Sequence, residues 1–254
     1  MHVHTTYSDG LLTPNEVLKF YSTQKIKSIS ITDHNTIDGL IEGLKFNKNY
    51  DIELINGIEF DVLHRCKIHI LSYHFDIKNI ELNKMLNRIK EKKIKDTYIF
   101  YKQLIKLGLN THNLDLKSIT ISKVSDLLVN QGFADTKIDA YKKYFEINKP
   151  LYFNVYKIPI EEAMSVIKKS GGISVLAHPI RITKNIDELE SILVEFLEYN
   201  IDGIECFHPE HSINYTNELL RLTNKYKLKI TGGSDFHYIS PKIFYVNKNK
   251  LVFT

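Results

Sequence analysis

The segment MHVHTTYSDG sets His2 and His4 two residues apart, with Asp9 close behind. Near the other end, TGGSDFH gives Asp235 and His237 the same spacing. On an extended strand alternate side chains share a face, so each pair presents both groups to one side. Other ionisable residues lie in or just after apolar runs. His34 follows KSISIT and Asp33, Glu59 lies near the end of DIELINGIEF, His69 sits within KIHILSYHF, and His178 closes GISVLAHP. Imidazole and carboxylate without thiolate form a donor set for Zn²⁺, Fe²⁺ or Mn²⁺. Such cations polarise a phosphoryl oxygen and lower the pKa of a bound water, and a shared carboxylate can hold two of them close together.

Each piece alone has a bland reading. An isolated His-x-His occurs by chance, Thr32-Asp33-His34 can be a capped turn, Glu59 an ordinary loop carboxylate, and Asp235 the cap of a turn. His178-Pro179 can simply end a strand. What changes the balance is that several such pieces stand at strand ends in one chain.

The elements that must position them alternate in type. Residues 27–32, 51–60, 67–75, 172–179, 202–207 and 228–235 read as strands, and 160–170, 186–199 and 214–227 have helical spacing. Thr13-Pro14-Asn15-Glu16 has the pattern of a helix start, with Thr13 as cap and Glu16 three residues on. Recurrent βα units predict a parallel sheet or barrel, which gathers strand C-terminal ends on one face. The middle lacks this rhythm. A Lys-, Leu- and Ile-rich tract over 78–109, then SKVSDLLV and DTKIDAYKKYF, predict helices. The expected organisation is therefore a barrel domain, 1–77 and 155–254, with a mostly helical insertion over 78–154. Gly232-Gly233 precedes Asp235 and allows close approach at a crowded strand end.

Composition narrows the class. At 254 residues the chain can bury one large core, and 43% hydrophobic with 25% charged residues is that of an ordinary soluble domain. With 34 basic against 30 acidic residues, charge alone gives no polyanion signal. Cys66 and Cys206 stand outside any CxxC, which favours a reducing compartment. No apolar run is long enough to cross a bilayer, and no secretory signal precedes the first motif, so a cytoplasmic location without membrane association is expected.

Taken in order, HVHTTYSDG, ITDHNTIDG, NGIEF, KIHILSYHF, VLAHPIR, GIECFHPEH and TGGSDFH resemble the PHP family, the polymerase and histidinol phosphatase superfamily. Within it the chain is most similar to stand-alone phosphoesterases of the TrpH/YciV type. The resemblance implies an α/β fold, a distorted (β/α)7 TIM-like barrel, and a trinuclear metal site. It places His2, His4, Glu59 and Asp235 around one cation, and has Glu59 bridge to a second held by His69 and His178. Asp9, His34 and His237 surround the third. The implied cofactors are two or three divalent ions, Mn²⁺, Fe²⁺ or Zn²⁺. His211 matches a recurrent polar position and is the candidate for catalytic proton transfer, with His208 and His74 as weaker candidates. Arg181 is the candidate phosphate contact, and Tyr7 lines the entrance. In the stretch 120–129, Ile121 and Asp126 stand where the family carries phosphate-facing arginines, and Lys123 takes a histidine-like position as a third substrate contact.

The expected activity is metal-dependent hydrolysis of a phosphate ester, on a nucleotide or another small phosphorylated molecule. Two alternatives accompany it: a 5′-3′ exonuclease acting on short oligonucleotides, and a non-catalytic, metal-stabilised interaction module. The sequence leaves the oligomeric state open.

Overall fold

The computed structural model of the chain describes residues 1–112, 114, 119, 121–146, 148–152 and 157–238. The chain divides into two compact units, one of Met1–Leu86 with Lys157–Thr254, the other of Asn87–Tyr156.

The first unit is built on a seven-stranded mixed sheet. Its strands are β1 (Ser28–Ile31), β2 (Glu53–Leu63), β3 (Ile68–Tyr73), β4 (Ile158–Pro159), β5 (Ile173–Leu176), β6 (Gly203–Phe207) and β7 (Lys229–Gly232), ordered β1-β2-β3-β5-β6-β7 with β4 also paired to β2. The parallel expectation fails at β3, which is antiparallel to both of its neighbours. β2 and β3 are joined by only four residues and pair antiparallel, Glu59 opposite Leu71 and Asp61 opposite His69. A link that short permits a hairpin but no crossover helix. β3 in turn runs antiparallel to β5, while the β1-β2, β5-β6 and β6-β7 pairs are parallel.

The sheet curls, and residues 2–4 join its two edges. Val3 forms bridges to both Ile31, at the end of β1, and Phe236, beyond β7. Three backbone hydrogen bonds fasten this seam: Thr32 to Val3, His4 to Phe236, and Phe236 to His2. Val3 is buried, and the side chains on either side of it face the opposite way from its own. Interior positions of the strands, among them Ile31, Ile58, Phe60, Leu71 and Val175, are fully buried. The helices α1 (Pro14–Thr23), α2 (Asp38–Phe46), α6 (Ile160–Lys169), α7 (Ile186–Glu198) and α8 (Ile213–Tyr226) belong to this unit. α1 opens with the capping box read from the sequence, Thr13 and Glu16 exchanging hydrogen bonds.

The second unit is helical. It takes most of α3 (Ile80–Lys106), with α4 (Ile121–Asn130), α5 (Lys137–Ala140) and a turn of π-helix over Tyr141–Phe145. Its own core gathers Phe100, Leu104, Val124, Leu128, Phe145 and Leu151. No helix among the described residues is long and apolar enough to cross a membrane.

Candidate metal centre

The seam that closes the sheet brings the chain's two end motifs together. His2 and His4 flank Val3, Asp235 and His237 flank Phe236, and Val3 and Phe236 are bridge partners. His34 is bridged to Glu59, His69 comes from β3, and His178 stands two residues past β5. Two of these groups occupy left-handed backbone, His178 at φ 28° and Asp235 at φ 47°. Such conformations cost free energy in non-glycine residues and persist where surrounding structure holds them, most often at functional sites.

Glu59 is the centre of the arrangement and has no exposed surface. Its Oε2 lies 3.2 Å from His2 Nε2, 3.1 Å from His4 Nε2 and 3.3 Å from His34 Nδ1. Its Oε1 lies 2.8 Å from His69 Nδ1 and 3.0 Å from His178 Nε2. Asp235 Oδ1 stands 3.3 Å from His2 Nε2 and 3.0 Å from His4 Nε2. Asp9 is more open, with Oδ1 3.2 Å from His237 Nε2 and 3.5 Å from His4 Nδ1, and Oδ2 3.8 Å from His34 Nε2. In four sets the donor atoms lie within 4.8 Å of one another. These sets are His2-His4-Glu59-Asp235, Glu59-His69-His178, His4-Asp9-His34-His237 and His34-Asp61-His69.

These donors fit divalent cations. Glu59 Oε2 is buried without an in-line hydrogen bond, at a cost of about 1–3 kcal/mol. His2 and His4 point their Nε2 atoms at each other across 3.1 Å, where two lone pairs would repel. A cation removes both penalties, and the nitrogen and oxygen donors suit Mn²⁺, Fe²⁺ or Zn²⁺. In their absence protons take the same role. Burial opposes charge on His2, yet Glu59 and Glu205 hold its pKa well above the ordinary imidazole value. Burial likewise works against ionised Glu59, and His34 and His2 keep it well below the usual carboxylate range. Cation binding to such a cluster releases protons.

Behind the donors stand carboxylates that the sequence reading passed over. Glu205, fully buried on β6, takes His2 Nδ1 at 3.1 Å and accepts the His178 backbone N–H at 2.8 Å. This fixes the proton on His2 Nδ1 and frees Nε2 for the site. Gly233 makes room for it: a Cβ there would fall 2.3 Å from both Glu205 Oε1 and His2 Cβ. Asp33 accepts from the Thr5 backbone N–H at 2.7 Å and from the Thr5 and Ser8 hydroxyls at 2.6 Å, tying down the loop that carries Asp9. The available signal was an acidic residue inside an apolar strand for Glu205, and Glu59-x-Asp61, with the spacing of His2-x-His4, for Asp61.

The expected substrate contacts are dispersed. Arg181 places its guanidinium between Glu210, at 3.1 Å from Nε, and Asp235 Oδ2. His211 Nδ1 lies 3.0 Å from the Cys206 carbonyl, and its Nε2 is buried without a partner. Burial also lowers its pKa. Tyr7 is 39% exposed, and its hydroxyl donates to Glu42. His208 is buried, with Nδ1 accepting the Glu210 backbone N–H at 3.2 Å. His74 stands apart: β3 runs antiparallel, so the residue after Tyr73 lies toward Asn56, away from the Glu59–Asp61 end. Lys123 is an exposed residue of α4 in the second unit.

A curled mixed sheet with this donor set is the framework of a TIM-like, metal-dependent hydrolase. The PHP domain family matches residues 1–206, and the chain belongs to that family. Over 96% of its length it is 30% identical to the 5′-3′ exoribonuclease Rnm of Salmonella typhimurium, covering 86% of that protein. It is 26% identical to the 3′,5′-nucleoside bisphosphate phosphatase of Chromobacterium violaceum, over 93% of this chain and 86% of the relative. A solved amidohydrolase structure from C. violaceum, with bound sulfate and no metal, superposes with a TM-score of 0.77 at 26% identity, covering 93% of this chain and 86% of that one. The chain is a metal-dependent phosphoester hydrolase.

Proposed function

We propose that the protein hydrolyses the phosphate ester of a nucleotide or another small phosphorylated molecule, with two or three divalent cations, Mn²⁺, Fe²⁺ or Zn²⁺, held at the Glu59 cluster. The observation that carries this reading is Glu59 itself: a fully buried carboxylate touches the imidazoles of His2, His4, His34, His69 and His178. His2, His4, Glu59 and Asp235 hold one cation, Glu59, His69 and His178 the second, and Asp9, His34 and His237 the third. When bound, such cations supply Lewis acidity toward a phosphoryl group and acidify a water nucleophile.

The chain's own residues do the rest. Glu205 keeps the proton of His2 on Nδ1, and the lone pair of Nε2 faces the site. Arg181 binds a phosphate oxygen through its planar fork, exchanging Glu210 or Asp235 for substrate. His211, with Nδ1–H given to the Cys206 carbonyl and a pKa lowered by burial, is neutral at pH 7 and takes a proton at Nε2. Tyr7 lines the entrance.

A second reading, 5′-3′ exonucleolytic removal from a short oligonucleotide, is favoured by the likeness to the Salmonella exoribonuclease. One experiment separates the two. Metal-loaded protein is incubated with p-nitrophenyl phosphate, a nucleoside 3′,5′-bisphosphate and a short 5′-phosphorylated RNA, with folded His34→Ala protein as control. Phosphate release from the small esters supports the first reading, and stepwise shortening of the RNA supports the second. Equal turnover by parent and His34→Ala protein defeats both.

A further inference from the structure

Asp61 belongs to none of the three cation positions above, yet it touches a ligand of two of them. It stands on β2 two residues beyond Glu59, so both side chains leave the same face of the strand. Across the hairpin its register partner is His69. Asp61 Oδ1 lies 3.1 Å from His69 Nε2 and also 3.1 Å from His34 Nδ1. The opposite nitrogens of those rings face elsewhere: His69 Nδ1 meets Glu59 Oε1 at 2.8 Å, and His34 Nε2 lies 3.8 Å from Asp9 Oδ2. His34 Nδ1 has no in-line hydrogen bond, and Asp61 is the nearer of the two carboxylates beside it.

Asp61 is itself clamped. Asn35, which follows His34 and holds a left-handed φ of 55°, donates Nδ2–H to Asp61 Oδ2 at 2.7 Å. The Asn35 Oδ1 accepts the Asp61 backbone N–H at 3.1 Å, and the Asn35 backbone N–H goes to the Glu59 carbonyl. Oδ2 accepts from Asn35, and Oδ1 is the oxygen that faces both rings.

We infer that Asp61 is a shared positioning carboxylate: its Oδ1 accepts the Nε2–H of His69 and the Nδ1–H of His34, committing His69 Nδ1 and His34 Nε2 to two different cations. This rests on the cation assignments proposed above. A ligating histidine commonly gives its second N–H to a carboxylate, and removing that partner costs about 10–100-fold in metal affinity. Here one carboxylate serves two ligands, so its loss weakens two cation positions together and leaves the His2-His4-Glu59-Asp235 position close to its parent affinity. Asparagine is no substitute. If its oxygen faces the rings, its amino group meets the Asn35 amino group, donor against donor.

The test uses metal-free full-length protein titrated with MnCl₂ by calorimetry, comparing parent, Asp61→Ala and Asp61→Asn. The expected result is at least tenfold weaker binding of the ions held by His34 and His69 in both variants. Should Asp61→Ala fail to fold, the isosteric Asp61→Asn decides. Parent-like Mn²⁺ affinity and stoichiometry in a folded variant overturns the inference, including the case where only the melting temperature of the metal-free protein falls. Long-range ¹H–¹⁵N spectra of the Zn²⁺-loaded parent give a second readout: His69 protonated at Nε2 and His34 at Nδ1. The reverse tautomers on either ring also overturn it. If the parent itself takes up no Mn²⁺, the functional reading fails instead, and the two failures are distinct.

Discussion

Glu205→Gln tests whether the donor cluster is held from behind by a buried charge. The substitution keeps shape and removes only the anion. In the native chain Oε1 lies 3.1 Å from His2 Nδ1 and Oε2 accepts the His178 backbone N–H at 2.8 Å. A glutamine oxygen can serve one of those donors, and its amino group then confronts the other. Burial alone would raise the Glu205 pKa, but the charge on His2 beside it brings it down to about 2 from an ordinary 4.5. That difference corresponds to about 3 kcal/mol of native preference for the anion. Losing a buried hydrogen bond to a charged group costs about 1.5–3 kcal/mol, which is the same interaction seen another way and is not added to it.

The sign follows from both partners. A depressed carboxyl pKa stabilises the fold above about 4.5, and this is lost as pH falls toward 2. The raised pKa of His2 stabilises below its ordinary 6.5 and is lost as pH rises through the folded value. The gap between parent and variant is therefore widest between those limits. In urea denaturation followed by circular dichroism at pH 6 with EDTA, Glu205→Gln is expected to lose about 2–3 kcal/mol. The gap should narrow below pH 4.5. A loss under about 0.5 kcal/mol, the size of an ordinary surface change, refutes the reasoning.

Three further outcomes follow from local geometry. Gly233→Ala sets a methyl group 2.3 Å from Glu205 Oε1 and His2 Cβ, so its thermal or urea midpoint should report a loss of about 1–3 kcal/mol. Of the two thiols, Cys206 is buried and pushed up to about 12 by that burial, so native protein at pH 8 should show one Ellman-reactive thiol, Cys66, and a second only on unfolding. Arg181→Ala should raise KM for a phosphomonoester by about 10–100-fold, and Arg181→Lys should recover only part, because an ammonium cannot reproduce the fork held between Glu210 and Asp235.

Much of the site was legible because its residues lie at strand ends. His2-x-His4 and Asp235-x-His237 carry their common face in their spacing, and the β1 and β5 runs point to the positions of His34 and His178. Nothing in the chain's local pattern revealed that Val3 bridges both Ile31 and Phe236 and so brings the two motifs together, because pairing over such separations has no local signature. The antiparallel turn of β2 into β3 was hidden in the shortness of one link, and it carries His74 away from the Glu59–Asp61 end. Glu205 and Asp61 were missed for a different reason. An acidic residue inside an apolar strand and the Glu59-x-Asp61 spacing are weak signals by themselves, and gain meaning only when the imidazole nitrogen that each carboxylate faces is found. Lys123 was placed by resemblance alone, and the structure assigns it to the helical unit.

Convergence of buried donors on shared cations is the core of the account, and an anomalous difference map at the manganese edge addresses it directly. Crystals grown with MnCl₂ should show peaks within coordination distance of both Glu59 oxygens, flanked by the imidazoles of His2, His4, His69 and His178. A well-ordered map with no anomalous peak against Glu59 would contradict it.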